Sequence, residues 1–266
     1  MESIEASVLI FDIRNFTDTL KNFETKNDDS FLLFVQDVCS LGYNIYSQLS
    51  PCNNIYFNTT GDGFLVIFGR ENHYITCYLF GILFSIITAN KFTAFNHNED
   101  ENISYGIGME SGMVKEIIIS TGPNGLCTYI GNVINIASRI EAETKNHARA
   151  NMVIGCQINQ LLVKKLYDID YLSLMEEVKN SNSIEKITNL IDKMNKINQK
   201  LLLSYIFEHN LKGIDRPMPL FRLSPSLLKR EEKNFDTVIG HLSRIIGREK
   251  YIKRLIHLEE TNGKAY

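Results

Sequence analysis

The sequence predicts an α/β sandwich in which helices lie against one face of a mixed sheet. Three observations carry this prediction. Short apolar runs rich in β-branched residues alternate with longer stretches of helical periodicity. These elements follow the order strand, helix, two strands, helix, strands, helix, strand. Finally, Asp62-Gly63 separates two extended apolar runs, which is a strong hairpin signal.

The first part of the chain is expected to form a strand, a helix and a hairpin. Residues 6–12 (ASVLIFD) are apolar and β-branched, as is typical of a buried strand. Ser30, a candidate N-cap, precedes apolar residues at helical spacing, and Pro51 ends that helix. The hairpin strands are 53–59 (NNIYFNT) and 64–69 (FLVIFG).

The middle of the chain continues with a helix and further strands. The uncharged run 74–89 predicts a helix buried on nearly all sides, and the polar HNEDEN segment after it predicts a loop. Strands ISYGIGME and MVKEIII are expected on either side of a tight turn at Ser111-Gly112. The loop TGPNG then leads to a helix from about Asn132, and 152–154 is expected to be a short strand.

Two segments in the last part of the chain are predicted to be helical. Residues 157–204 contain a polar break, KNSNS, followed by one amphipathic helix of about twenty residues. A strand at 218–223 comes next, and residues 226–266 are predicted to be helical again.

Composition excludes several classes of protein. Hydrophobic residues make up 44% of the chain and charged residues 22%, which excludes wholesale disorder. The net charge of −3 gives no general attraction for nucleic acid. The five cysteines are widely spaced with no CxxC pair, which argues against a disulfide framework or a common zinc site and favours the cytoplasm. No basic leader precedes an apolar run at the N-terminus, and the run at 74–89 is shorter than the roughly 20 residues of a membrane span, so no membrane insertion is expected.

Two aspartates are the first candidates for chemistry. Asp12 ends the first strand, and Asp62 lies at the tip of the hairpin. Either residue alone is more simply explained as a turn cap. If the two strands are neighbours, however, both carboxylates meet at one rim and could bind Mg²⁺ or Mn²⁺. Two such ions would activate an oxygen nucleophile on a triphosphate, and free amides around Asn15, Phe16 and Thr17 could bind its phosphates.

A second candidate pair lies on the helix after Asn132. Asn135 and Arg139 are four residues apart and therefore share a helix face. Arginine and asparagine side chains aimed the same way suit a developing phosphate charge and a ribose oxygen. On spacing alone, an ordinary exposed helix face is the better explanation.

Five segments in order resemble the class III nucleotidyl cyclase catalytic domain: FDIRNFT, NTTGDGFLVIFG, YGIGMESG, YIGNVINIASRIEAET and LKGIDRPMPLFRL. The resemblance covers roughly 7–155 and 205–223. Gly106-x-Gly108 also looks like part of a dinucleotide fingerprint, but it precedes a predicted turn and strand rather than a helix, so we discard that interpretation.

The resemblance implies a mainly antiparallel sheet and a role for each matching position. Two metal ions, Mg²⁺ or Mn²⁺, would be bound by Asp12, Asp62 and the Ile13 carbonyl. Asn135 would position the ribose and Arg139 would contact the attacked phosphate, while Lys212 is a candidate phosphate ligand of less certain register.

The resemblance also implies a head-to-tail homodimer with two shared active sites, each taking its metals from one subunit and its Asn/Arg pair from the other. In each site the ribose 3′-hydroxyl of a nucleoside triphosphate attacks the α-phosphorus and pyrophosphate leaves. By the same comparison, the catalytic domain is 1–225 with a helical insertion at about 157–204, and 226–266 is a C-terminal extension. Both additions are expected to pack on the domain or extend the dimer contact, with a regulatory role as the alternative.

The base-reading positions depart from the family pattern. Adenylyl cyclases have Lys and Asp there, and guanylyl cyclases have Glu and a small residue, whereas this chain has Asn58 and Thr128. An amide matches uracil, cytosine or adenine, depending on its orientation. Loss of both charged purine readers resembles the pyrimidine cyclases of anti-phage signalling.

The sequence therefore favours a cyclase that makes cyclic UMP, or else cyclic CMP, as a second messenger for antiviral defence, read by a cyclic-nucleotide-binding effector. The alternatives are an adenylate cyclase with divergent base reading, a non-catalytic nucleotide-binding dimer module and a purely structural dimerisation domain.

Overall fold

The computed structural model describes residues 3–119, 127–146, 151–223 and 235–262. These residues form one eight-stranded sheet and the helices around it. The strands are β1 (Ser3–Arg14), β2 (Asn54–Thr59), β3 (Gly63–Gly69), β4 (Ser104–Ile118), β5 (Cys127–Ile130), β6 (Met152–Ile154), β7 (Leu203–His209) and β8 (Met218–Leu223). The helices are α1 (Phe16–Lys26), α2 (Ser30–Leu49), α3 (His73–Glu99), α4 (Asn132–Glu143), α5 (Cys156–Tyr167), α6 (Tyr171–Asn180), α7 (Ile184–Lys200), α8 (Phe235–Ile245) and α9 (Glu249–Asn262).

The sheet is mixed and mainly antiparallel, as predicted. Its order is β2-β3-β1-β4-β6-β8-β7, and β5 pairs with the C-terminal end of β4, residues 115–118. Only the pairing of β4 with β6 is parallel among the described strands. The central position of β1 follows from its sequence, because a strand covered on both sides is apolar on both faces.

Helices cover both faces of the sheet, so the expectation of helices on one face is wrong for α4. Leu9 and Phe11 of β1 face the core beneath α2 and α3. Val8 faces the other way and packs with Val133 and Ala137 of α4. Because successive strand residues point to opposite faces, α4 lies on the side of the sheet opposite α3.

The predicted hairpin is confirmed, one predicted turn is wrong, and one predicted loop is shorter than expected. Ser111 and Gly112 do not form a turn, since β4 runs through them and pairs with β1 along its whole length. Continuous pairing to a central strand overrides the local turn preference of Ser-Gly. Helix α3 extends into the HNEDEN segment as far as Glu99, because Phe92 and Phe95 still face the core, and the predicted loop is shortened to residues 100–103.

Other local predictions are refined by the structure. Ser30 is the first residue of α2 rather than its N-cap, and its amide donates to the Asp28 carboxylate at 2.8 Å. The predicted helical segment 157–204 forms α5, α6 and α7, and strand β7 begins at Leu203 within that range. The predicted TGPNG loop lies outside the described residues.

Helix α3 is long and apolar enough, by length and composition, to cross a membrane. Within the fold, however, 83% of its most apolar 18-residue window is buried. This burial is typical of a core helix and matches the expectation for residues 74–89. All five cysteines are free thiols.

Candidate active site

Asp12 and Asp62 meet at one rim of the sheet. Asp12 lies near the end of β1 opposite Gly63, the first residue of β3. The amide of Ile13 donates to the carbonyl oxygen of Asp62 at 2.9 Å. A side chain at Gly63 would overlap the Phe11 backbone, so only glycine allows the hairpin to approach β1 this closely. The sequence expectation that the two strands are neighbours is confirmed.

The Asp62 carboxylate perturbs that of Asp12. Burial and the neighbouring Asp62 carboxylate raise the pKa of Asp12 to about 6. The positive charges of Lys145 and Arg14 act in the opposite direction. The rim therefore concentrates negative charge on hard oxygen atoms, which is the environment that a small divalent cation neutralises.

The turn after Asp12 presents backbone amides next to these carboxylates. Asn15 has a left-handed conformation, with φ of 62°, and leads directly into α1. No side chain caps this helix start, so the amides of Phe16 and Thr17 remain available to an outside acceptor. The Phe16 ring contributes differently, by packing against Phe31. The turn for which the sequence predicted phosphate contacts therefore has free backbone amides close to Asp12.

Asn135 and Arg139 lie one turn apart on α4, with Asn135 exposed and Arg139 partly buried. Two glycines of β4 allow this helix to lie close to the sheet. A side chain at Gly108 would overlap the α4 backbone at Ala137, and one at Gly106 would overlap the side chain of Glu141. The Gly106-x-Gly108 pattern is thus explained by close helix–sheet packing, which sequence reasoning missed.

Lys212 is exposed in the connection between β7 and β8. The following residue, Gly213, has φ of +75°, and a side chain there would lie 3.5 Å from the Arg139 guanidinium. The segment that carries Lys212 therefore approaches α4 at Arg139.

The predicted base-reading residues lie on two strands that approach each other through aromatic rings. Asn58 is exposed on the edge strand β2, and Thr128 is half-buried on β5. The rings of Tyr56 and Tyr129, next to these positions, have centroids 5.4 Å apart. Asn58 also lines an open cavity of about 610 Å³ with residues of α2 and β2 that the sequence did not indicate: Cys39, Ser40, Tyr43, Asn44, Phe57 and Thr59.

Comparison with known proteins shows the family to which the chain belongs. A model of the adenylate and guanylate cyclase catalytic domain matches residues 2–176. The chain belongs to this family. Direct comparison with curated protein sequences gives no match.

Solved cyclase structures share the fold. A bacterial light-regulated adenylyl cyclase superposes with a TM-score of 0.54 at 14% identity, covering 92% of this chain and all of the other. An adenylyl cyclase from P. aeruginosa gives 0.50 at 15%, covering 84% and 94%. The guanylate cyclase domain of a Catenaria anguillulae protein, solved in complex with GTP, gives 0.51 at 18%, covering 84% and 98%.

Cyclases of this family use divalent metal ions, and the donor set of this cyclase domain fits them. Asp12 and Asp62 supply carboxylate oxygens. The N–H of Ile13 points to the Asp62 turn, and because the N–H and C=O of a strand residue face the same neighbour, its carbonyl faces that turn too. Among the described residues, no group of three or more His, Cys, Asp or Glu side chains could hold a metal. Further ligands would therefore have to come from the backbone or the substrate.

Asp12 lies nearest the C-terminal end of α4, whereas Asn135 lies in the N-terminal half of that helix. The α4-side groups whose charge reaches Asp12 are Glu141 and Lys145, at the C-terminal end of the helix. Asn135 is six residues before Glu141, which is about 9 Å along a helix axis. No contact recorded between described residues joins the aspartates to Asn135 or Arg139. Sequence spacing did not indicate that Glu141 and Lys145 lie near Asp12, because their position depends on how α4 packs on the sheet.

Proposed function

We propose that this cyclase domain converts a pyrimidine nucleoside triphosphate, UTP in preference to CTP, into the 3′,5′-cyclic nucleotide and pyrophosphate. The observation that carries the cyclase chemistry is the meeting of Asp12 and Asp62 at one rim, within the fold of a nucleotidyl cyclase. Paired carboxylates can bind the divalent metal ions that would align the 3′-hydroxyl with the α-phosphorus of a triphosphate.

Each group of residues has a separate part in the proposed reaction. Two divalent metal ions bound by Asp12, Asp62 and the Ile13 carbonyl would supply electrostatic activation of the 3′-hydroxyl and the phosphates. Amides at the start of α1 bind phosphate oxygens. Asn135 orients the ribose, and the Arg139 guanidinium stabilises charge that develops on the α-phosphate. Lys212 binds phosphate as a point charge, and the approach of the next residue, Gly213, to Arg139 supports this role.

The proposal includes a head-to-tail homodimer with two shared sites. The resemblance to the cyclase family supports it, since in that family one subunit supplies the metal-binding aspartates and the other supplies the Asn/Arg pair. The sheet also carries exposed apolar residues that a partner could cover. They lie on β4 and β5 and in the residue after β4: Met113 (53% exposed), Ile118 (64%), Ile119 (59%) and Ile130 (50%).

Pyrimidine selectivity is proposed from Asn58 and Thr128. The side-chain amide of Asn58 can donate and accept side by side, which complements the N3 and O4 edge of uracil. Neither residue has the charge that adenylyl and guanylyl cyclases use at these positions. The contact between Tyr56 and Tyr129 brings together the two strands that carry Asn58 and Thr128.

The product is proposed to act in the cytoplasm as a second messenger in antiviral defence, read by a cyclic-nucleotide-binding effector. This part rests on the resemblance of the base-reading positions to those of pyrimidine cyclases.

Product analysis tests the proposal. Purified protein is incubated with ATP, GTP, CTP and UTP, separately and in competition, with Mn²⁺ and then Mg²⁺, and cyclic products are identified by mass. Asp62→Asn, which replaces one carboxylate oxygen with an amide of equal size, is the matched inactive control. Cyclic UMP or cyclic CMP as the main product supports the proposal.

Other outcomes assign other functions. Cyclic AMP as the main product would make the chain an adenylate cyclase with divergent base-reading residues. Metal-dependent nucleotide binding without any cyclic product or pyrophosphate would indicate a non-catalytic binding module. Wild-type turnover in Asp62→Asn would contradict the role of the carboxylate rim.

A further inference from the structure

A buried polar cluster joins the end of β1 to the end of α4. Arg14 follows Asp12 by two residues on β1, so both side chains lie on the same face of the strand. The Arg14 guanidinium donates a hydrogen bond to the hydroxyl oxygen of Thr144, just after the last turn of α4. The Thr144 hydroxyl in turn donates to the Glu141 carbonyl oxygen at 2.5 Å.

This cluster is built into the fold rather than lying on its surface. Thr144 is 1% exposed and Glu141 is 5% exposed. Gly106 of β4 leaves the space for the Glu141 carboxylate and the Thr144 hydroxyl, because a side chain there would overlap both. Burying polar groups costs free energy unless they form hydrogen bonds, so those between Arg14, Thr144 and Glu141 help to stabilise the cluster.

The charges within the cluster are complementary and incompletely paired. The Nε atom of Arg14 and the Oε1 atom of Glu141 are buried, and neither has a hydrogen-bond partner in the described part of the chain. Their opposite charges stabilise one another across the cluster. Arg14 therefore interacts with α4 in two ways, through its charge interaction with the Glu141 carboxyl group and through its hydrogen bond to the Thr144 hydroxyl.

The hydrogen bond between Arg14 and Thr144, called the tether below, acts on the backbone that carries the proposed metal-binding groups. Arg14 is the last residue of β1, and the next residue, Asn15, turns the chain into α1 in a left-handed conformation. Fixing Arg14 therefore fixes the strand end that contains Asp12 and Ile13. A metal site assembled before the ion arrives avoids the entropy cost of ordering its ligands on binding.

We propose that Arg14 and Thr144 are positioning residues that hold the Asp12 carboxylate and the Ile13 carbonyl in place for a divalent metal ion. This inference rests on the proposed role of the Asp12–Asp62 rim as the metal site. Neither residue needs to touch metal or nucleotide, because the effect passes through the backbone of β1.

Paired substitutions at Thr144 test the inference. Thr144→Val keeps the shape of the side chain but removes the hydroxyl, whereas Thr144→Ser keeps the hydroxyl. Binding of Mn²⁺ alone is followed by the electron paramagnetic resonance signal of the free ion, and thermal unfolding is measured in parallel. We expect Thr144→Val to weaken Mn²⁺ binding about tenfold and Thr144→Ser to bind as the wild type does.

Two further variants separate tethering from simple electrostatics. Arg14→Lys keeps a positive charge beside Asp12 but loses the planar fork, and it should weaken Mn²⁺ binding as Thr144→Val does. Lys145→Gln removes an exposed positive charge that acts on Asp12 without touching the tether. It should leave Mn²⁺ binding unchanged or make it tighter.

The outcomes distinguish this inference from the proposed function. If Asp62→Asn binds Mn²⁺ as the wild type does, the rim is not the metal site and both ideas fail. If Asp62→Asn loses binding while Thr144→Val and Arg14→Lys retain it, only the positioning role fails. A lower unfolding temperature of Thr144→Val with unchanged Mn²⁺ affinity would make the cluster purely structural and would likewise overturn the inference.

Discussion

Glu110 is a buried carboxyl group whose ionisation should cost the fold measurable stability. It lies in the middle of β4 and is 1% exposed. One oxygen accepts hydrogen bonds from the amides of Ser111 at 2.8 Å and Ile158 at 3.0 Å, near the start of α5. The other oxygen is buried without a recorded partner among the described residues, beside Gly155.

The magnitude follows from the shift in its pKa. Burial raises the pKa of Glu110 from 4.5 to about 7, even though the backbone hydrogen bonds act in the opposite direction. One pKa unit corresponds to about 1.4 kcal/mol, so full ionisation costs the folded state about 3 kcal/mol. Because the folded pKa is the higher one, this contribution to stability is complete below pH 4.5 and is lost as the pH rises through 7.

Glu110→Gln removes the charge but keeps an oxygen that can accept from both amides. The free energy of unfolding is measured by urea denaturation of wild type and variant at pH 5, 6, 7 and 8. We expect the stability of Glu110→Gln relative to wild type to rise by about 2–3 kcal/mol between pH 5 and pH 8. Taking the difference cancels the titration of groups common to both proteins.

The control is Glu176→Gln, the same substitution on the exposed side of α6. A constant difference in stability between Glu110→Gln and wild type from pH 5 to pH 8 would refute the reasoning. It would mean that Glu110 does not ionise at a greater cost in the folded state than in the unfolded chain.

Three further predictions concern the site. Mixing Asp62→Asn subunits with Arg139→Ala subunits should restore about one intact site per heterodimer, measured as turnover, and no recovery in proven heterodimers would exclude shared sites. Gly108→Ala should cost about 1–3 kcal/mol in urea denaturation, because the new methyl group overlaps the α4 backbone, while Gly240→Ala, with open space around it, should not destabilise the fold. Asn58→Ala should change the ratio of kcat/KM for UTP over ATP by about tenfold through loss of a base contact, and an equal fall for both substrates would assign Asn58 no part in base selection.

Local signals in the sequence were sufficient for most of the strands and helices. The Asp62-Gly63 turn and the apolar runs around it correctly predicted the β2–β3 hairpin, because turn chemistry and alternation act over a few residues. The same kind of local reasoning failed at Ser111-Gly112. There the backbone is held extended by pairing to β1, more than a hundred residues away in sequence.

The candidate site likewise has some features that the sequence predicted and others that depend on contacts between distant residues. Nearby residues place Asp12 at a strand end and Asp62 at a hairpin tip, but only the structure shows that the two strands are neighbours. The resemblance to the cyclase family supplied the expected roles of Asn135 and Arg139. The closeness of Arg139 to the Lys212 segment could be proposed from the resemblance but not from spacing.

The sequence by itself therefore determined the elements, the family and the chemical groups available for catalysis, since these depend on residue type and local pattern. Only the tertiary structure decided that α4 covers the second face of the sheet and that Arg14 reaches Thr144. It also decided that Glu110 is buried against α5. These features arise from packing between residues distant along the chain, where shape and burial rather than neighbouring residues determine which groups meet.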